Sequence, residues 1–176
     1  MSRAFVKDAD AIDELPDRPI SAHPNEVTRE GLRRIESALT AAQEAFAAAQ
    51  LVGDREGLAS AGRNLRYWTA RRSTAVVAPE PEDNSVVRFG HAVTILRSDG
   101  RKQTFRIVGE DEADPARGTI SQVSPLARAL FGKGVGETVS VAGGDAEILS
   151  IRRRGRVREN ATTRNPSSSV GHVNQR

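Results

Sequence analysis

Two carboxylates sit in the stretch Gly53-Asp54-Arg55-Glu56-Gly57. Asp and Glu oxygens are hard ligands, suited to a Mg2+ ion and to orienting its water. Spacing decides whether two such groups can share one ion. On a helix, residues three apart point about 60° from each other, and residues two apart about 200°. Asp54 and Glu56 are two apart, so they converge only if this stretch is a true loop. Arg55 between them must also leave both charges free. A plainer reading stands beside this one. Asp54 after Gly53 is a good N-cap for a following helix, with Gly53 closing the one before, and that needs no chemistry.

Elsewhere the chain offers little for catalysis. There is no cysteine, hence no disulfide and no thiolate metal site. His91 starts a strand-like run without ligand-spaced companions, and His23 and His172 lie in segments expected to be disordered, so a zinc site is not expected. No Ser/His/Asp nucleophile set is visible. Gly132-Lys-Gly-Val-Gly136 is glycine-rich but lacks the spacing and the Lys-Ser/Thr end of a phosphate-binding loop. The single Tyr-Trp pair, Tyr67-Trp68, has Trp68 at an apolar seam position, a core placement, with stacking on a partner as the alternative.

The elements that must carry Asp54 and Glu56 are legible from periodicity. Thr28 is a helix N-cap, followed by Leu32, Ile35, Leu39, Ala42, Phe46 and Ala49 at spacings of 3, 4, 3, 4, 3. Past the turn, Leu58, Ala61, Leu65, Trp68, Arg72 and Ala75 repeat the same spacing, with Arg72 the misfit whose stem could cover the seam. This predicts an antiparallel helical hairpin over residues 27–77, with a first arm of roughly 37 Å. Residues 78–86, proline-bearing and acidic, read as a linker.

From Val86 the period changes. Residues 91–97 and 103–108 predict two strands around an Asp99-Gly100 turn, and residues 137–141 and 146–151 two more around Gly143-Gly144. Ser124 and Pro125 open a short helix. The fold class is therefore α+β: a coiled-coil hairpin plus a small antiparallel sheet domain over 87–152 with one short helix.

Charge is uneven. Residues 1–27 hold six acids and three bases, and residues 152–176 hold seven arginines and one glutamate. Residues 1–26 are expected to be a disordered acidic lead-in and 153–176 a disordered Arg-rich tail. The tail arginines Arg152, Arg153, Arg154, Arg156 and Arg158 could touch nucleic-acid phosphates without reading sequence, or could simply solubilise. The start has no signal-peptide core and no segment could span a bilayer, so a cytoplasmic protein without a membrane partner is expected.

The segment TFRIVGEDEADPARGTISQVSPLARALFGKGVGE, Thr104 to Glu137, resembles the C-terminal domain of the Gre transcript-cleavage factors (GreA/GreB). Matching elements are Arg106 to Gly109, Glu112-Ala113-Asp114, Ile120-Ser121, Ser124-Pro125, Ala127-Arg128, Leu130 and Gly132-Lys133. VTREGLRRIESAL, Val27 to Leu39, resembles the family's opening helix. The resemblance covers roughly residues 26 to 152. It implies a coiled coil followed by an FKBP-like domain that docks on bacterial RNA polymerase while the hairpin enters the secondary channel. The FKBP-like domain is not expected to be an isomerase, because Phe89, Phe105 and Phe131 are all expected in its core.

The implied protein is an accessory elongation regulator and a monomer, with no enzyme activity or cofactor of its own. Family cleavage factors carry an Asp at the tip and a Glu three residues on. Asp54 matches the first, Gly57 stands at the second, and Glu56 comes one residue early. By this resemblance Asp54 and Glu56 would meet metal only as Mg2+ shared with the polymerase. Asp114, Ser124, Pro125, Arg128 and Lys133 would form the docking edge, against the plain reading of a capped turn. The arms look shorter than in typical members, as in the related Rnk-type regulators. Three functions stay open: assisted transcript cleavage, channel binding without cleavage, and nucleic-acid binding through the tail, with contact to nascent RNA or DNA.

Overall fold

The computed structural model describes residues 15–141 and 144–153. The chain enters through a two-residue strand, β1 (Glu26–Val27), and turns directly into helix α1 (Arg29–Val52). Thr28 caps α1, its Oγ1 accepting from Gly31 N at 3.0 Å. Gly53, in the left-handed region at φ 66°, ends it, and Asp54 N donates to Ala49 O at 3.0 Å. Helix α2 (Arg55–Thr74) follows at once and leads into strand β2 (Val76–Val77), which pairs in parallel with β1. The β1–β2 pair closes the base of the hairpin.

The seam is narrow because its inner residues are small. Ile35, Ala42 and Ala49 of α1 and Ala61 of α2 are buried, and a Cβ on Gly62 would stand 3.5 Å from the Phe46 ring. Of the a/d seam expected in α2, Ala61 is buried and Leu58, Leu65 and Trp68 are half-buried, and the next buried position comes one residue early. Arg71 turns inward, 2% exposed, while Arg72 lies outside and pairs with Glu36 of α1 at 2.9 Å. A straight helix drifts about 20° per heptad against a 3.5-residue repeat, and the acids facing Arg71 draw that residue in.

The second domain is a five-stranded sheet of order β5-β4-β3-β7-β6. Its strands are β3 (Ala92–Arg97), β4 (Lys102–Val108), β5 (Thr119–Ser121), β6 (Thr138–Val141) and β7 (Gly144–Arg152), with helix α3 (Pro125–Leu130) between β5 and β6. The four expected strands are present within a few residues, and the β3–β4 turn places Gly100 at φ 82°. The sheet is antiparallel except at one edge, where β5 runs parallel to β4. That pairing was not legible in the sequence: two 3-10 turns, Glu110–Glu112 and Pro115–Arg117, carry the chain back before β5 begins.

Val93, Ile95, Ile107, Ala127, Leu130, Ala146 and Ile148 are fully enclosed in the sheet core, with Phe89, Phe105 and Phe131 packed against it. His91 is also fully buried. Its Nδ1 accepts from Arg88 N at 3.0 Å and its Nε2 lies 3.0 Å from Asp83 O, so it pins the end of the 78–86 segment to β3. Burial holds its pKa below the ordinary value.

The expected disordered lead-in divides in two. Residues 1–14 lie outside the described residues. Residues 15–25 carry no regular structure, yet they lie against α2 and α3 through side-chain contacts, including His23. The Gly143 side of the β6–β7 turn and residues 154–176 also lie outside the described residues.

Candidate functional site

At the far end of the hairpin, Asp54 is the N-cap of α2 and accepts from Gly57 N at 3.0 Å. A Cβ on Gly57 would overlap the other carboxylate oxygen of Asp54. Gly57 stands at the third helical position, where a capping box would carry a Glu, and leaves the Asp54 carboxylate room. Glu56 is exposed in the first turn of α2, where a negative charge suits the helix dipole. Beside them, Leu51 and Val52 are 88% and 78% exposed. Among the described residues no three metal-ligating side chains cluster. Asp54 is engaged as the α2 cap, and Glu56 stands exposed two residues on.

The base of the hairpin is different. Arg71 is buried between three elements. Its Nε donates to Asp111 Oδ2 at 2.5 Å, its Nη2 donates to Asn25 Oδ1 at 2.7 Å, and Glu110 lies 3.6 Å away. Asn25 Nδ2 in turn donates to Arg71 O at 2.8 Å. Tyr67, one turn back on α2, donates its hydroxyl to the other oxygen of Asp111 at 2.7 Å. Burial first, and then this bond to a carboxylate, push the Tyr67 hydroxyl up to about 12. A buried guanidinium is tolerable only when its donors are met in this way.

Glu112 joins α1 to the sheet domain by a capping box made between distant parts of the chain. In the usual box a Glu at the third helical position reaches back to the N-cap N–H. Here that position is Gly31, and the carboxylate comes from Glu112, 5% exposed. Thr28 Oγ1 donates to Glu112 Oε1 at 2.5 Å and Thr28 N donates to Oε2 at 3.3 Å. A Cβ on Gly31 would overlap that carboxylate. The acidic run Glu110-Asp111-Glu112 thus receives the hairpin, with Glu112 on the start of α1 and Asp111 and Glu110 on Arg71 of α2.

The remaining expected residues fall into three groups. Ser124 caps α3, its Oγ accepting from Ala127 N at 3.2 Å, Pro125 is the first residue of α3, and Arg128 is exposed on the same helix. Lys133, just beyond, pairs with Glu137 at 3.1 Å. Asp114 is elsewhere, capping the 3-10 turn before β5 and pairing with Arg117 at 3.4 Å. Of the tail arginines, Arg152 is exposed at the end of β7 and Arg153 donates to Glu82 O at 2.7 Å, while Arg154, Arg156 and Arg158 lie outside the described residues.

Near Arg153 is a cleft of about 450 Å3 lined by Glu26, Glu80, Glu82, Asp83 and Phe89 among others. Sequence reasoning missed this cleft and the Arg71 network. The available signal for Arg71 was its position four residues after Tyr67, on one helix face, with an acidic triplet inside the quoted GEDEAD run.

Comparison with known proteins sharpens the picture. The family model described as "Transcription elongation factor, GreA/GreB, C-term" matches residues 82–153. GreB of Yersinia pestis is 33% identical over 156 residues, covering 76% of this chain and 91% of that protein. GreB of Neisseria meningitidis serogroup A is 44% identical over 95 residues, covering 51% of this chain. GreA of Methylobacterium sp. (strain 4-46) is 47% identical over 96 residues, covering 52% of this chain. Those two matches span 58% and 61% of the relatives' own lengths. Among solved structures, Gfh1 of Thermus thermophilus aligns over 74% of this chain and 99% of its own at 21% identity, with a TM-score of 0.36. Among the described residues no helix is long and apolar enough to cross a membrane.

Proposed function

The chain belongs to the GreA/GreB family of transcription elongation factors, and from that premise we propose that it regulates bacterial RNA polymerase by occupying the secondary channel. The sheet domain docks through the α3 edge, with Arg128 as its exposed cation. The hairpin, joined at its base by Arg71 and Glu112, enters as a stiff arm. The protein brings no active site of its own and works as an accessory factor in the cytoplasm.

The observation that carries this reading is the state of the tip. Asp54 is engaged as the α2 cap with Gly57 behind it, and Leu51 and Val52 lead the arm. An arm ending this way fills space and makes apolar contact; it does not present two matched carboxylates to a second metal ion. The exposed carboxylate of Glu56 favours one competing reading, in which transcript cleavage by the polymerase is assisted.

Stalled elongation complexes made with purified polymerase test the choice. Binding without shortening of the RNA is the expected outcome. RNA that shortens with the wild-type factor and not with Asp54→Ala would overturn occupancy in favour of assisted cleavage.

A further inference from the structure

The lead-in is the part of this chain that neither the hairpin nor the sheet domain explains. Its described residues lie across two surfaces at once. On α2, Asp17 Oδ1 accepts from Arg66 Nε at 2.6 Å, and Arg66 Nη2 also donates to Leu15 O at 3.3 Å. The Arg18 guanidinium stands 3.6 Å over the centroid of the Tyr67 ring and 5.3 Å from that of Trp68, and donates to Asn64 Oδ1 at 3.4 Å. Tyr67 and Trp68 meet edge to face at 4.9 Å, so the cation rests on a paired aromatic face.

Five residues on, the same segment reaches the sheet domain. His23 Nε2 lies 3.1 Å from Arg128 Nη2, and Pro24 O accepts from Gln122 Nε2 at 3.3 Å. Arg128 has no acceptor but His23 among the described residues. The contacts differ in kind along the segment. Those of Asp17 and His23 are exposed and those of Arg18 half-buried, and each is weak, of the order of exposed ion pairs and cation–π contacts. Asn25, by contrast, is buried and fixed to Arg71. A segment with one buried anchor and a string of weak surface contacts can open without unfolding what it covers.

We propose that residues 15–25 are an intramolecular latch, hinged at Asn25, that covers the Tyr67–Trp68 face of α2 and holds Arg128 at the docking edge. A partner surface bearing a carboxylate at that edge takes Arg128 from His23, and the segment is displaced. The masking of a docking edge rests on the polymerase reading above. The latch itself rests only on the contacts within this chain.

The test uses the full chain, in wild-type form and as the double variant Arg18→Ala, His23→Ala. Trp68 is the only tryptophan, so its emission and its quenching by acrylamide report on the covered face without any partner. Loss of the latch is expected to raise the quenching constant about twofold and to tighten polymerase binding about threefold to fivefold, the equivalent of one or two weak surface contacts. Far-ultraviolet circular dichroism that matches wild type shows that the variant is folded. Quenching that is the same in both proteins overturns the latch. Raised quenching with equal or weaker polymerase affinity overturns the masking of the edge. If neither protein binds polymerase, the docking reading falls together with the masking, and the quenching comparison alone decides the latch.

Discussion

At its base the hairpin is held by Arg71, 2% exposed, and by Glu112, 5% exposed, while at its far end Leu51 and Val52 are 88% and 78% exposed. The two ends use the same residue types for different purposes. Asp111 and Glu112 at the base take hydrogen bonds from other parts of the chain and fix the angle at which α1 and α2 leave the sheet domain. Asp54 at the tip takes one from its own helix. A carboxylate that is buried and shared between elements specifies an arrangement. A carboxylate that caps locally leaves the rest of the molecule unaffected. The base therefore decides where the arm points, and the tip can change its chemistry without disturbing the fold.

The contrast breaks most visibly at Arg71. Arg71→Met removes the buried cation and leaves the Asp111 carboxylate, 10% exposed, partly unmet, so a loss of about 3–5 kcal/mol is expected in a denaturant titration. A loss below 1 kcal/mol would mean that the base is not a fixed joint. Next is Gly31→Ala. Its methyl collides with the Glu112 carboxylate, and about 1–3 kcal/mol should be lost despite the better helix propensity of alanine. A variant as stable as wild type would show that Glu112 can move aside.

At the tip, Asp54→Ala should cost about 1 kcal/mol, the ordinary value of a lost N-cap. Thermal melts of this variant should show no uncoupling of hairpin and sheet. Alkali sharpens the comparison further. The Tyr67 hydroxyl is raised to about 12 in the folded chain, above its ordinary value of 10.0. Between those values the unfolded chain loses its proton and the folded chain keeps it. The stabilisation is thus complete below about pH 10 and declines as pH rises toward about 12. Tyr67→Phe should flatten that part of the stability–pH curve. The smallest effect on folding belongs to Leu51→Ser with Val52→Ser, within about 0.5 kcal/mol of wild type. A clear drop in polymerase affinity for this pair, measured by fluorescence anisotropy, is expected if the apolar tip makes contact.

Much of this organisation could be read without coordinates. Thr28, Gly53 and Asp54 announced their caps by residue type, and the apolar spacing of Ile35, Ala42 and Ala49 marked the inner face of α1. The strands around Asp99-Gly100 and the Ser124-Pro125 helix start were equally plain. Each of these rests on interactions within a few residues, which is where sequence pattern is informative. The Ser124 cap, the Pro125 helix start and the Arg128 position on α3 were readable one by one, but their setting was not. Nothing near Arg128 in the sequence points to His23.

The sequence by itself determined the two kinds of element, the turn that joins the helices, and the absence of a glutamate three residues after Asp54. Tertiary structure alone decided that Arg71 faces inward in place of Arg72, that Gly31 makes room for a carboxylate from Glu112, and that residues 15–25 lie across α2 and α3. The physical reason is range. Periodicity and capping are set by neighbours a turn or less apart, whereas a buried charge is placed by whichever partners can meet it. Here those partners stand 40 or more positions away along the chain.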